Sequence, residues 1–285
     1  LQTIPTESER LRLVNERDVS GMTVLHRVVK SGNLESIKTI LALYPEQERL
    51  HAVKTQVDSN GWSVAHWAAK SGKSESVEFI LSLYPETERA QAVRNLDRRK
   101  RTMLHHAAIP GSHESMKTIL RFLPESERLQ VVRMRDQFQR TVLHYATLSK
   151  NIECIKTILD LYPESERLQA VSMPDVLEWT VLHCAARSGN AESLRLILAL
   201  YPETSLIRAV SEECSMGTVL HCAAQSGNLE SIQTILPLYP ESERLQALNT
   251  TGQYGETVLR VIANSNNIEC IAAIHSLYPG AIIRP

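Results

Sequence analysis

TVLHCAARSG, residues 180–189, returns almost letter for letter as TVLHCAAQSG at 218–227. Five relatives of the same string lie elsewhere in the chain: MTVLHRVVKSG from Met22, SVAHWAAKSG from Ser63, TMLHHAAIPG from Thr102, TVLHYATLSK from Thr141 and TVLRVIANSN from Thr257. The column at its centre reads His26, His66, His105, His144, His183, His221 and finally Arg260, in steps of 40, 39, 39, 39, 38 and 39 residues. PESERLQ recurs unchanged at 124–130, 163–169 and 240–246. A fixed period of this length is the signature of stacked supersecondary units, none of which can bury its apolar face alone.

Each unit divides into parts with a physical reading. Thr opens the first helix as a cap, and two alanines in one turn allow close approach of neighbouring helices. The Ser-Gly-Asn that follows ends that helix with Gly and caps the next with Asn. Ile37, Ile40, Leu41 and Tyr44 then stand at i, i+3, i+4 and i+7, one buried helical face. Glu35 lies in the first turn, where the helix dipole favours an anion. Tyr44-Pro45 stops the second helix, since Pro lacks the N–H donor and restricts the residue before it. PESERLQAV starts a third, short helix, with Pro at its head and two glutamates in its first turn. A polar stretch closes the unit and carries an Asp five residues before the Thr, at Asp18, Asp58, Asp97, Asp136 and Asp175. It is read as a turn or short hairpin, a finger leading into the next unit.

Thr-x-Leu-His-x-Ala-Ala-x-x-Gly with a preceding Asp-x-x-Gly turn resembles the ankyrin repeat, and the resemblance covers essentially the whole chain. It implies an all-α fold: an ankyrin-repeat solenoid of seven units, each a helix–turn–helix plus a short third helix and a hairpin-like finger. The expected layout is one array over 1–285, with a partial repeat at 1–21 and units starting near 22, 63, 102, 141, 180, 218 and 257. The family's Thr-Pro-Leu-His has Val, Met or Ala in place of Pro. The turn glycine stands at Gly21, Gly61 and Gly255 but is replaced by Lys100, Gln139 and Glu178 in the middle units. The period exceeds the family's 33 residues by about six, the added PESER helix. These departures put the finger's shape in question. PTESERLRLV at 5–14 matches the PESER element, so the chain opens in mid-repeat, and with Leu1 in place of Met it is read as a fragment. Arg260, Asn264, Asn266 and Asn267 give the last unit a cap-like polarity before the closing GAIIRP.

Composition narrows the function. Apolar residues make up 43% and charged residues 22%, near a globular average, which argues against disorder. With 31 basic and 32 acidic residues the net charge is −1, so bulk electrostatics do not point to nucleic acid. No transmembrane run or basic-apolar leader is legible, and five cysteines without a C-x-x-C pair suit a reducing cytosol.

No nucleotide-binding, nucleophile-elbow or zinc-protease motif is present, and the chain is read as a non-enzyme with no cofactor and no metal. Equivalent histidines in adjacent units sit about one helix diameter apart, about 8–10 Å, too far to share a zinc ion. They are read as structural, bonding backbone near the helix start. Cys184 and Cys222 share one column and are too far apart to pair, Cys154 and Cys270 read as small core residues, and Cys214 is expected exposed in a loop.

Positions that vary between units are free to recognise something. The column after the histidine reads Arg27, Trp67, His106, Tyr145, Cys184, Cys222 and Val261. The ankyrin resemblance places it on the concave groove, with Trp67, His106 and Tyr145 as a row of partly exposed aromatics, a hot-spot composition. The fingers add Arg94, Arg98, Arg99, Lys100 and Arg101 against Asp97, and Arg133, Arg135 and Arg140 against Asp136, with Phe138 inside the basic run and Trp62 and Trp179 flanking it. The expected function is a protein-interaction module, monomeric, that docks an acidic partner across units 2 to 5. Near-identical units with a PESER spacer are similar in style to ankyrin-repeat effectors that intracellular bacteria deliver into host cells. Two other readings stay open: a targeting region of a larger enzyme, and binding of an anionic ligand, nucleic acid or phosphoinositide, through the fingers.

Overall fold

Short helices are marginal in water unless their ends are satisfied and one face is buried. Each repeat supplies three such helices with caps written into the sequence. The computed structural model describes residues 6–265 and 267–279, so the expectations placed on Pro5, Asn266 and GAIIRP lie outside the described residues. The chain divides into two compact halves, Leu1–Gln137 and Phe138–Pro285, parting inside the finger that leads into the repeat at Thr141.

In the first half the partial repeat gives the helix Glu7–Asn15. The next three repeats give the triplets Val24–Ser31, Leu34–Leu41, Glu46–Thr55; Val64–Ser71, Ser74–Ser82, Glu86–Arg94; and Met103–Ala108, His113–Arg121, Glu125–Arg133. The second half holds Val142–Leu148, Ile152–Leu159, Glu164–Ser172; Val181–Ser188, Ala191–Leu198, Glu203–Ser211; Val219–Ser226, Leu229–Ile235, Glu241–Asn249; and the pair Val258–Asn264, Ile268–Leu277. A solenoid of three-helix repeats is therefore the architecture of each half. Within each, first helices of successive repeats pack on one another. Ala68, Ala69, Ala107 and Ala108 in one half and Ala185, Ala186, Ala223 and Ala224 in the other are fully buried there. No described helix is long and apolar enough to cross a membrane.

The histidine column has the structural role expected of it. In six repeats the backbone N–H of the capping Thr or Ser donates to histidine Nδ1 at 3.1–3.3 Å. The other nitrogen then carries the proton and donates to the carbonyl of the residue that closes the third helix of the same repeat, His66 to Asn95 at 3.0 Å, His183 to Glu212 at 3.0 Å and His221 to Thr250 at 3.1 Å. One imidazole thus caps its own helix and ties it to the end of the third helix of its repeat.

PESER is equally structural. Pro stands at the cap position, one place earlier than the sequence reading put it, and the glutamates fill the first turn. The Arg turns back, and its Nε donates to carbonyls at the end of the preceding helix, Arg49 to Leu41 and Arg128 to Leu120, or just past it, Arg89 to Tyr84, Arg167 to Tyr162 and Arg244 to Tyr239, at 3.0–3.3 Å. Orphan carbonyls at a helix end are satisfied in this way. Glutamates of this element also bridge repeats, Glu88 to Lys54 at 2.6 Å and Glu127 to Arg94. The buried tyrosines before Pro reach the preceding repeat, Tyr44 to the Val14 carbonyl and Tyr239 to that of Val210.

Loss of the turn glycine does not change the finger. Lys100, Gln139 and Glu178 hold φ of 60°, 63° and 61°, beside 72° and 74° at Gly21 and Gly61. The left-handed conformation costs an L-residue about 1–2 kcal/mol. Glu178→Gly, at an exposed site, is therefore expected to stabilise by about 0.5–1 kcal/mol once the greater freedom of the unfolded glycine is counted. The reverse change, Gly61→Ala, places a Cβ 2.8 Å from Arg98 Cγ as well as at φ 74°, and destabilises. Urea midpoints of the two variants check both signs.

Candidate binding surface

The fingers position the exposed variable residues, and an aspartate builds those at Asp18, Asp58, Asp97 and Asp175. Oδ1 of Asp58 accepts the N–H groups of Asn60 and Trp62 at 2.8 and 2.9 Å; Asp97 does the same for Arg99 and Arg101, and Asp175 for Leu177 and Trp179. Such an Asx turn substitutes a side-chain oxygen for a backbone carbonyl and fixes a tight reversal. Successive fingers are then joined main chain to main chain. In the first half Ser59 donates to Ser20, Arg98 to Asn60 and Gln137 to Arg99, at 2.8–3.1 Å. In the second half Val176 donates to Phe138 and Ser215 to Leu177. Two tip residues per finger are thereby set in register with their neighbours, with side chains in water.

The second oxygen of the aspartate explains the variable column. Oδ2 of Asp18 accepts from Arg27 Nε at 2.9 Å, that of Asp58 from Trp67 Nε1 at 3.1 Å, and that of Asp97 from His106 Nε2 at 3.0 Å. Each donor lies nine residues after its aspartate. This corrects the expectation of an exposed aromatic row: Trp67 is 8% and His106 0% exposed. Their identities differ because several donor types can satisfy one carboxylate. Burial pushes the His106 imidazole down to about 3 even though Asp97 pulls the other way. Burial of Asp97 alone would raise its carboxyl; the hydrogen bond from His106 and the Arg101 N–H and guanidinium overcome this and hold it well below the usual range.

Trp62 lies half-buried over this pair, with ring centroids 4.5 Å from Trp67 and 4.1 Å from His106. Arg101 covers the Trp62 ring at 5.2 Å while its Nε donates to Asp97, and only 7% of it is exposed. Arg101 is thus part of the frame and not a surface cation, contrary to the sequence reading. Arg98 is exposed but donates to the Ser59 carbonyl at 2.6 Å. Arg99 and Lys100 are exposed at the tip, and among the described residues neither makes an ion pair. Lys30 lies 5.0 Å above the Trp67 ring, and Lys70 is pushed down by partial burial and then by Arg101. Sequence reasoning missed both lysines, since they sit at the ends of first helices and join the finger only in three dimensions. Arg135 is half-buried at the base of the fourth finger.

The second half carries a different surface. Phe138, Val176 and Leu177, at finger tips, are 37%, 52% and 49% exposed. Trp179 is buried, and its Nε1 donates to Ser215 at 2.9 Å, so the flanking tryptophan expected to anchor a partner stiffens the finger instead. Arg140 pairs with Asp175 at 2.6 Å. Tyr145 is half-buried on its helix. Cys214 is fully buried, which corrects its reading as an exposed loop thiol. Among the described residues no group of three or more His, Cys, Asp or Glu side chains is arranged to hold a metal ion.

A family model for ankyrin repeats (three copies) matches residues 7–90, 87–167, 104–208 and 161–245. Two solved structures resemble the chain over most of its length. The human ASB11 ankyrin repeat domain gives a TM-score of 0.59 at 19% identity, covering 88% of this chain and 97% of its own. The ankyrin repeat domain of Bcl-3, a member of the IkappaB protein family, gives 0.52 at 18% identity, covering 89% and 99%. At these identities the likeness shows the fold alone. Comparison with curated proteins gives no significant match.

Proposed function

The chain belongs to the ankyrin-repeat family, and from that premise we propose that it is a non-enzymatic binding module whose first half takes an acidic segment of a protein partner. Ankyrin repeats are generic protein–protein interaction modules. One observation carries the finer reading. The finger at Asp97 spends its carboxylate on Arg101 and His106, which leaves Arg99 and Lys100 at the tip, with Lys70 on the same repeat and Lys30 reaching the Trp67 ring from the repeat before. Cations without internal counter-charges gain most from an external carboxylate, which both steers and orients the partner. Trp62 and Trp67 serve as a rigid floor beneath that surface. The exposed Phe138, Val176 and Leu177, with half-buried Tyr145, supply a separate apolar contact area on the second half.

The style shared with effectors of intracellular bacteria makes a eukaryotic host-cell protein the partner to seek first. The test is capture from eukaryotic lysate with the parent chain beside an Arg99→Glu, Lys100→Glu variant of unchanged helicity, followed by titration of the retained protein. Loss of at least about tenfold in affinity, about 1.4 kcal/mol, is expected in the variant. Equal retention by both baits would refute the acidic-partner reading. Retention of nucleic acid or anionic vesicles, with steep dependence on salt, would replace it by anionic-ligand binding.

A further inference from the structure

The sixth repeat breaks the finger rule in a chemically specific way. Its step in the histidine column is 38 residues, one fewer than in its neighbours. The backbone shows where the register lies. Ser215 donates to the Leu177 carbonyl, as the residue after each aspartate donates to the finger before it, and Gly217 takes the left-handed place with φ 107°. Cys214 therefore occupies the position of the aspartate. The Met216 N–H donates to Cys214 Sγ at 3.4 Å, where the fingers at Asp18, Asp58, Asp97 and Asp175 offer a carboxylate oxygen. The missing residue is the one before Thr218, and its loss draws Gly217 so near the helix start that a Cβ there would lie 2.8 Å from the His221 ring.

The donor column is replaced as well. Where Arg27, Trp67 and His106 reach their aspartates, Cys222 meets Cys214, with the two sulfur atoms 3.8 Å apart. A side-chain oxygen and its hydrogen-bond donor have thus been exchanged for two facing thiols on the same frame. The contact joins residues eight apart, one in the finger and one in the helix that it leads into.

We propose that Cys214 and Cys222 are a disulfide-forming pair, a modification site for two-electron oxidants of the hydroperoxide class that clamps the sixth finger to the first turn of its own helix. The Cys214 thiolate attacks one peroxide oxygen and breaks the O–O bond, giving a sulfenic acid and, after proton pick-up, one water from hydrogen peroxide or one alcohol from an organic hydroperoxide. The Cys222 sulfur then attacks the sulfenic sulfur, and the departing hydroxide takes the Cys222 proton and leaves as water. Two thiols are oxidised by two electrons, and one peroxide is reduced. Closing the bond needs an approach from 3.8 Å to about 2.05 Å, a movement available to a hairpin paired at only Glu213–Cys214 and Gly217–Thr218.

Two features favour this order of events. The Cys222 thiol and then the Met216 N–H stabilise charge on Cys214 and hold it below an ordinary thiol, while Cys222 is pushed up by donating that hydrogen bond and by burial. The remaining candidates are inert by comparison: burial pushes the Cys154 thiol up to about 11 and Cys184 to about 12. Both members of the pair are fully buried, so oxidation proceeds through opening of the short hairpin, whose Ser215 and Met216 are already half-exposed.

The experiment uses the whole chain. Folded protein is exposed to hydrogen peroxide, denatured in N-ethylmaleimide and cleaved with trypsin. Cys214 and Cys222 fall on one tryptic peptide, 209–244, which holds no other cysteine. The expected product is that peptide lighter by two hydrogens and carrying no maleimide. Chymotryptic cleavage at Leu220 should leave its fragments joined until reduction, while Cys154, Cys184 and Cys270 remain alkylated. Cys222→Ser should leave Cys214 as a sulfenic or higher acid, and the parent map decides even where that variant folds poorly. Recovery of both cysteines alkylated, sulfinic acid on either in the parent, or a link to another cysteine or a second chain would overturn the proposal.

Discussion

Asp97→Ala is expected to cost the first half about 3–5 kcal/mol, the range for stranding one partner of a buried ion pair. The Asp97 side chain is fully buried and that of Arg101 is 9% exposed. Four donors converge on the carboxylate: the N–H groups of Arg99 and Arg101, Arg101 Nε at 3.0 Å and His106 Nε2 at 3.0 Å. Alanine removes all four acceptor contacts at once. A guanidinium is then left against the Trp62 ring and two finger N–H groups lose their Asx turn, each a desolvation penalty with nothing to offset it. Repeat arrays need not unfold in two states, so the effect is best read as faster amide exchange over 94–108 together with the urea midpoint. Asp18→Ala makes the control, since its partner Arg27 is exposed and water can replace the pair; its effect should be far smaller. Equal effects of the two substitutions, or a loss below about 1 kcal/mol for Asp97→Ala, would show that burial does not set the value of the pair.

The second large effect is acid unfolding driven by the histidine column. Burial pushes the His183 imidazole down to about 4, against weaker upward pulls from the Glu212 carbonyl and from Asp175. His26, His66 and His221 are lowered for the same first reason. In each the neutral ring accepts the cap N–H at Nδ1, so a second proton has nowhere to go without breaking the cap. The folded pKa lies below the unfolded value of about 6.5. The unfolded chain therefore binds more protons between the two values, and stability falls as pH falls. The contribution is complete above about pH 6.5 and is lost progressively toward pH 4, by about 3 kcal/mol for His183 alone at 1.36 kcal/mol per unit. Urea midpoints measured from pH 7.5 to 4.5 should drop steeply below 6.5, and imidazole proton shifts of the folded protein should resist titration over the same span. A flat midpoint between pH 7 and 5 would mean that the rings stay solvated enough to protonate in place.

The carboxylates act further down the acid side of the same profile. Asp97 is held below the usual range, so its contribution is present above the unfolded carboxylate value and is lost only at still lower pH. Histidines thus set the first acid transition, and the fingers give way later. Both rest on the same design, a buried polar group satisfied by backbone on one side and by a neighbouring element on the other.

Much of this was legible in residues 180–189 and their relatives. Thr180, His183, Gly189 and Asn190 are each a cap with a local mechanism, and a 39-residue period repeats the mechanism down the chain. Even the departures were local matters. Lys100 and Glu178 hold the left-handed turn because the aspartate three residues earlier accepts bonds on both sides of it.

What the sequence determined by itself is the scaffold, because caps, helix stops and apolar faces act over three or four residues and are readable as spacing. What only the tertiary structure decided is which variable residues face water. Trp67 and His106 look like recognition residues because they vary, yet they are buried because each finger folds back over its own helix and brings an acceptor nine residues upstream into reach. Nine is neither a helical nor a strand period, so no pattern announces it. A weak signal was present: the column holds donors at Arg27, Trp67 and His106, opposite aspartates, and Val261 in the last repeat, where Gly252 stands in the aspartate's place. Cys214 shows the same limit. Whether a loop thiol meets solvent or a second thiol depends on a one-residue deletion and the path of the backbone around it, and those distances are fixed only when the repeat is packed.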